Sequence, residues 1–181
     1  MTQKMINQDF IFKKLVCNCM NKLKINKIII HSSNTEFVKA KKNAVATQFS
    51  LFLISCQKPQ SIYSKNAHAA FMLRKDQFLG WKITLRHTKM HQFFEKLKLV
   101  SFSEQKEFDG LDFFHLNEKA DCQFGFNGLI RYPELESNFI RFNKLTGINI
   151  SLVTNATKNQ EISLLLTANQ MPVFKVKLYE K

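Results

Sequence analysis

The sequence predicts an α+β fold, an antiparallel sheet with helices packed mainly on one side, and three observations carry that expectation. Short stretches alternate apolar and polar residues with the period of a strand, most cleanly Trp81-Lys82-Ile83-Thr84-Leu85-Arg86. Other stretches space apolar residues three, four and seven apart, as at Met90, Phe93, Phe94 and Leu97. The two kinds follow one another without the Gly-rich turns of a parallel nucleotide-binding sheet, with only 5 glycines among 181 residues.

In chain order, Gln8–Met20 mixes apolar and basic residues and reads as a short helix. Lys27-Ile28-Ile29-Ile30-His31 is rich in β-branched residues and reads as a strand. Ser33-Asn34-Thr35-Glu36 has the form of a capping box, and Val38, Val45, Phe49, Phe52 and Cys56 then recur at helical spacing. This helix, like the others, reads as core-facing. Lys39, Lys41 and Lys42 crowd its first turns against the macrodipole, which suits either a polyanionic partner or a solvated face. Gln57-Lys58-Pro59 ends it, and Ser61-Ile62-Tyr63-Ser64 is extended. Lys65–Leu79 has no clear period and reads as a long loop, a feature that is usually functional inside a compact domain.

After the strand at Trp81, Thr88 is placed to cap the helix that carries Met90 and Phe93. Cys122, Phe124 and Phe126 share one strand face, and Ile148, Ile150 and Leu152 share another. A last helix begins near Thr157-Lys158-Asn159-Gln160, carries Ile162, Leu165 and Leu166, and stops by Pro172. No repeat or low-complexity linker interrupts the chain, so one domain is expected over residues 1–181.

Charge points to a partner. The net charge is +13, and residues 1–100 hold 18 Lys and Arg against 4 Asp and Glu, a balance of +14. Residues 101–181 hold 9 against 10, a balance of −1. Clustered cations gain by neutralising phosphates and releasing counterions, so the first half predicts an extended polyanion; the plainer alternative is a solvated basic surface. On the strand at Trp81, the face opposite Trp81, Ile83 and Leu85 presents Lys82, Thr84 and Arg86. Those residue types suit phosphate and ribose contacts to structured RNA. Trp81 and the 18 Phe fall on apolar faces and are expected to pack rather than stack on bases.

Catalytic and metal chemistry find little support. Cys17, Cys19, Cys56 and Cys122 have no zinc spacing, and His87 and His91 lack a third ligand and a glutamate after the first histidine. Nothing gives Cys56 or Cys122 a base that would lower its pKa. Glu107, Asp109 and Asp112 fall in the neutral half, where turn chemistry accounts for them. A basic RNA-processing enzyme acting on structured RNA is the alternative from another class, and a peripheral protein at an anionic membrane is a weaker third. No cofactor and no metal are expected, and no apolar run is long enough to span a membrane. Abundant Lys, Asn, Phe and Ile, with Arg only 4 of 27 cations, fit an AT-rich coding sequence, as is common in organelle and some parasite or symbiont genomes. Residues 1–12 lack an apolar core and contain Asp9 but no Arg, so synthesis inside an organelle is expected rather than import.

Several segments in register resemble the universal large-subunit ribosomal protein L5 family, in an organellar, mitochondrial-type version. Gly80-Trp81-Lys82-Ile83-Thr84-Leu85-Arg86 followed by Met90 and Phe93-Phe94 is similar to its central signature. Tyr132-Pro133-Glu134-Leu135, Thr146-Gly147-Ile148-Asn149-Ile150-Ser151-Leu152-Val153-Thr154, and Leu164-Leu165 through Met171-Pro172-Val173-Phe174 resemble its later motifs. Gln57-Lys58-Pro59 matches a corner after its first long helix. The resemblance covers about residues 9–175, which it implies as the core of the domain, and it implies an RRM-like ribosomal L5 fold, no enzymatic activity, and a structural place in the central protuberance. It implies binding of large-subunit rRNA, of 5S rRNA where the organelle retains it, nearness to the P-site tRNA, and neighbouring ribosomal proteins that include a small-subunit bridge protein. The mitochondrial matrix is the implied location, with a plastid as the alternative.

By that resemblance, RNA contacts fall on Gln57 and Thr84, and by position on Lys58, Lys82 and Arg86. His31 stands where the family usually has Asn and can still donate one hydrogen bond. Lys65, Arg74 and Lys75 are the cations of the loop that approaches tRNA, where Asn66, Ala67, His68 and Ala69 replace a more basic stretch.

Overall fold

The computed structural model describes residues 22–34, 41–102, 121–127, 129–142 and 147–172, together with residues 8, 11, 37 and 145. The helix expected over Gln8–Met20 therefore lies outside the described residues, except that Gln8 and Ile11 are helical. The acids Glu107, Asp109 and Asp112 lie outside them too.

Five strands form one antiparallel sheet: β1 (Ile25–Ser33), β2 (Gln60–Tyr63), β3 (Phe78–Leu85), β4 (Cys122–Phe126) and β5 (Ile148–Thr154), in the order β2-β3-β1-β5-β4. β1 is the axis of this sheet. Its isoleucines pair with both neighbours, Ile28 opposite Leu85 and Leu152, and Ile30 opposite Ile83 and Ile150. Because strand side chains alternate faces, these residues all point to one side, and each is essentially excluded from solvent.

The helices cover that side: α1 (Lys41–Ser55), α2 (His87–Lys96), α3 (Pro133–Glu136), α4 (Phe139–Phe142) and α5 (Asn159–Ala168). Leu51 and Ile54 from α1, Phe93 and Phe94 from α2, Leu135, and Ile162, Leu165 and Leu166 from α5 complete one core with the sheet. Proline at the start of α3 fits a first turn that has no use for its missing donor, and it leaves the preceding Tyr132 fully buried, edge-on to Phe126 at 6.2 Å. None of the helices among the described residues is long and apolar enough to cross a membrane.

Two local expectations change, while Thr35 and Glu36 of the capping box lie outside the described residues. Thr88 does not cap α2, which begins one residue earlier, after extended Arg86, with His87 in the left-handed region at φ 51°. The outward stripe of α1 is the larger change. Val45, Phe49, Phe52 and Cys56 are exposed, while Ala44, Thr47, Ser50, Leu51, Ile54 and Ser55 face inward. The buried hydroxyls can sit there because each bonds its own helix: Thr47 to the Asn43 carbonyl, Ser50 to that of Thr47 and Ser55 to that of Leu51.

Gly80 is the tightest point of the sheet. A Cβ there would be driven into the Ser32 backbone, with Ser33 Cα only 2.9 Å away. At Gly125 the nearest atom to a Cβ would be the flexible Asn149 amide oxygen, at 3.3 Å. Gly80→Ala is expected to cost about 3 kcal/mol or more, and Gly125→Ala less than about 1 kcal/mol, in urea unfolding of the full chain.

Candidate nucleic-acid interface

The sheet face away from the helices collects polar and basic side chains in two rows. Register places Gln60, Lys82, His31, Asn149 and Gly125 in line across all five strands. The next row runs Thr84, Ile29, Ser151 and Gln123. Arg86 continues the β3 alternation beyond Lys82 and Thr84, in extended conformation and exposed, just before the chain turns into α2. Lys27 extends the β1 side of the face, opposite Val153. None of the five strands carries a carboxylate, so they present a basic and hydroxyl-bearing plane backed by a packed core.

Gln57 reaches this surface from the corner after α1. Cys56, with φ 51°, stops the helix in the left-handed conformation, and its amide bonds the Phe52 carbonyl at 2.8 Å. Lys89 Nζ on α2 donates to the Cys56 carbonyl at 2.8 Å, a cation at a helix C-terminus as the dipole favours. The turn then lets Gln57 Nε2 donate to the Thr84 carbonyl at 3.2 Å, which holds the amide beside β3. Lys58 is placed differently. It lines a hollow with Gln48, Phe49, Phe52 and Pro59 against the outer side of α1.

His31 sits in the middle of the row. Burial, and then the Lys82 ammonium on the next strand, hold its imidazole below the ordinary value. The neutral ring so favoured accepts at Nε2 from the Asn149 side-chain amide at 3.3 Å, leaving Nδ1 as its donor. Asn149, Gln60 and Lys27 are members of this face that sequence reasoning passed over, and Ser151 shares its register but is buried. Strand alternation could have found them once β1 and β5 were known to be neighbours, and that adjacency is not local information.

The loop cations form a second, separate group. Residues 64–77 fold into a finger with its own hydrogen bonds rather than an unstructured loop, and β3 begins already at Phe78. Buried Ser64 exchanges backbone bonds with Gln77 and Asp76 at 2.8 and 2.9 Å, and His68 and Leu73 bond each other at 3.0 and 3.1 Å. A short turn at Ala69–Phe71 and left-handed Met72 make the tip, where Phe71 and Met72 are 67% and 87% exposed. Lys65, Arg74 and Lys75 are exposed along its stem, at the end of β3 opposite to Arg86. The structure thus brings His31, Gln57, Lys82, Thr84 and Arg86 together and sets Lys65, Arg74 and Lys75 apart from them.

The residues weighed for catalysis are dispersed. Cys122 lies in the core, and burial pushes its thiol up to about 11. Cys56, His87 and His91 are exposed, and among the described residues no group of three or more His, Cys, Asp or Glu side chains converges. Trp81 packs on the helix side of the sheet and donates from its indole nitrogen to the Ala44 carbonyl at 2.8 Å.

Because His31 titrates below its ordinary 6.5 in the folded chain, the unfolded chain binds more protons as pH drops through that range. The stability tied to neutral His31 is complete above that value and is lost as pH falls toward the lowered one. Urea unfolding at a series of pH values between about 7.5 and 5 is expected to show this decline, and His31→Asn to flatten it.

Residues 78–173 match the model of the C-terminal part of the ribosomal L5 family. The chain is 32% identical over 173 residues to the large ribosomal subunit protein uL5m of Reclinomonas americana, spanning 96% of this chain and 95% of that protein. It is 33% identical over 125 residues to the uL5 protein of Wolbachia pipientis wMel, covering 69% of this chain and 70% of that protein. A uL5 protein from the Wolbachia of Brugia malayi is 34% identical over 124 residues, covering 68% of this chain and 69% of that protein.

Proposed function

This chain belongs to the ribosomal L5 family, and on that premise we propose that it is a single-domain structural protein of a mitochondrial large ribosomal subunit, with rRNA held on the open face of its sheet. The family is structural, and the chain is not an enzyme. The observation that carries the RNA contact is the cross-strand row: Lys82 and His31 face each other in register, with Thr84, Arg86 and the Gln57 corner beside them. Structured RNA displays phosphates and 2′-hydroxyls at fixed spacings, and a flat sheet displays cations and hydrogen-bonding groups at equally fixed spacings. Lys82 and Arg86 neutralise phosphate, while Thr84, Gln57 and the neutral His31 set register through hydrogen bonds.

The particular ligands are large-subunit rRNA and, where the organelle retains it, 5S rRNA. The finger at 64–77 is the element suited to reach toward P-site tRNA, because its self-bonded stem projects Lys65, Arg74 and Lys75 beyond the sheet edge. Its tip is apolar rather than basic, so tRNA gains less from it electrostatically than rRNA gains from the sheet. A place in the central protuberance, a bridge to the small subunit and synthesis within the organelle belong to the same proposal. The similarity to a mitochondrial protein across nearly the whole chain supports mitochondrion over plastid.

Affinity of the full chain for its rRNA segment is expected to fall steeply with salt in filter-binding titrations. Lys82→Ala and Arg86→Ala should each lower the slope of log affinity against log salt by about one, whereas Thr84→Val weakens binding and leaves the slope in place. Salt-independent binding, or slopes unchanged in both charge variants, would remove the sheet face as the RNA surface. RNA turnover by the pure protein would favour a processing enzyme instead.

A further inference from the structure

The outer side of α1 has no role in this RNA surface, yet it is built like an interface. From Asn43 to Ser55 the helix contains no charged residue, in a chain that is 23% charged. Its inner side packs on the core through Leu51 and Ile54, and its outer side exposes Val45, Phe49 and Phe52 to 51%, 59% and 45%. A helix segment with no charge on any side and bulky apolar residues on its outer one is suited to cover on both sides, and here the chain's own core takes only one of them.

The exposed residues are ordered. Val45, Phe49, Phe52 and Cys56 follow one another at intervals of four, three and four, the spacing of a seam that runs along the helix axis beside a second helix. Hollows flank the seam. One, of about 480 Å³, lies between α1 and the β2–β3 edge and is lined by Phe37, Ala44, Val45, Tyr63, Phe78 and Trp81 among others. The other, of about 240 Å³, is lined by Gln48, Phe49, Phe52, Lys58 and Pro59. These are places for the side chains of a partner to enter.

Charge selects the partner. Lys42 lies three residues before Val45 on the same side of the helix, Lys58 closes the far end, and neither α1 nor β2 carries a carboxylate. Between those cations the seam offers nothing to neutralise a phosphate, so an RNA backbone laid along it would meet only phenylalanine and valine. We propose that the outer face of α1 seats an amphipathic helix of a neighbouring protein, apolar along one stripe and carrying carboxylates at the ends that meet Lys42 and Lys58. This rests on the reading that the chain is part of a large ribosomal subunit.

Large subunits isolated intact from the organelle test it by carbodiimide coupling, which joins amines to carboxylates in direct contact, followed by peptide mass spectrometry. Lys42 or Lys58 is expected to be joined to an Asp or Glu of a different protein, in a segment whose apolar residues recur every three or four positions. In a recoded chain, Phe49→Asp should lose that neighbour while the chain stays bound to rRNA. Lys42 and Lys58 acetylated as readily in the subunit as in the free chain, photocrosslinking of Phe49 or Phe52 to nucleotides, coupling to a second copy of this chain, or retention of the neighbour by Phe49→Asp would each overturn the proposal. Ultraviolet crosslinking of the Lys82 and Arg86 peptides to rRNA in the same particles reports separately on the underlying reading. Absence of the chain from the subunit would remove that reading, and the proposal with it.

Discussion

The antiparallel register of β1 with its two neighbours is the constraint on which the rest of the molecule depends. Ile28 and Ile30 are each sandwiched by apolar partners on both sides, and that pairing puts His31 between Lys82 and Asn149 in the same stroke. A slip of one residue in β1 would turn Ile28 and Ile30 to solvent and Lys27 and His31 into the core. Burying the Lys27 ammonium and the His31 imidazole without partners, added to the lost apolar burial, would consume most of the stability of a domain this size. Core and polar face are therefore fixed by one decision, and neither could drift without the other.

That coupling explains how this basic, polar surface can be stiff. Cations on long side chains lose entropy when they settle on a ligand, but their attachment points lose none, because the strands beneath are already packed. The corner at Cys56 works in the same way. A left-handed residue, a lysine from α2 on its carbonyl and the Gln57 amide on Thr84 join the end of one helix, the start of another and the strand β3. Some of the positive charge is thus spent inside the molecule: Lys89 and Lys96 both donate to carbonyls at the end of α1, and Lys96 also pairs with Glu134.

α1 inverts the usual amphipathic arrangement. Its inner side accepts serine and threonine because a helical hydroxyl can bond the carbonyl one turn back, and so small polar residues permit a close approach to the sheet without orphaned groups. Its phenylalanines are left outward. In a free-standing domain such a stripe would invite association, and in a particle crowded with other chains it provides a place for one of them.

The sequence alone determined the fold class, the strands at Trp81–Arg86, Cys122–Phe126 and Ile148–Thr154, the last helix, and the shared outward face of Lys82, Thr84 and Arg86. Those signals are local, since a period of two or of 3.6 is written within a few residues and needs no knowledge of neighbours. Tertiary structure decided what periodicity cannot express. Gln60 and Asn149 joined the face only because distant strands pair, and the stripe of α1 faced outward because the sheet accepted its smaller side instead. Helical spacing names two candidate faces when apolar residues lie on both, and the choice between them is made by what fits against the sheet.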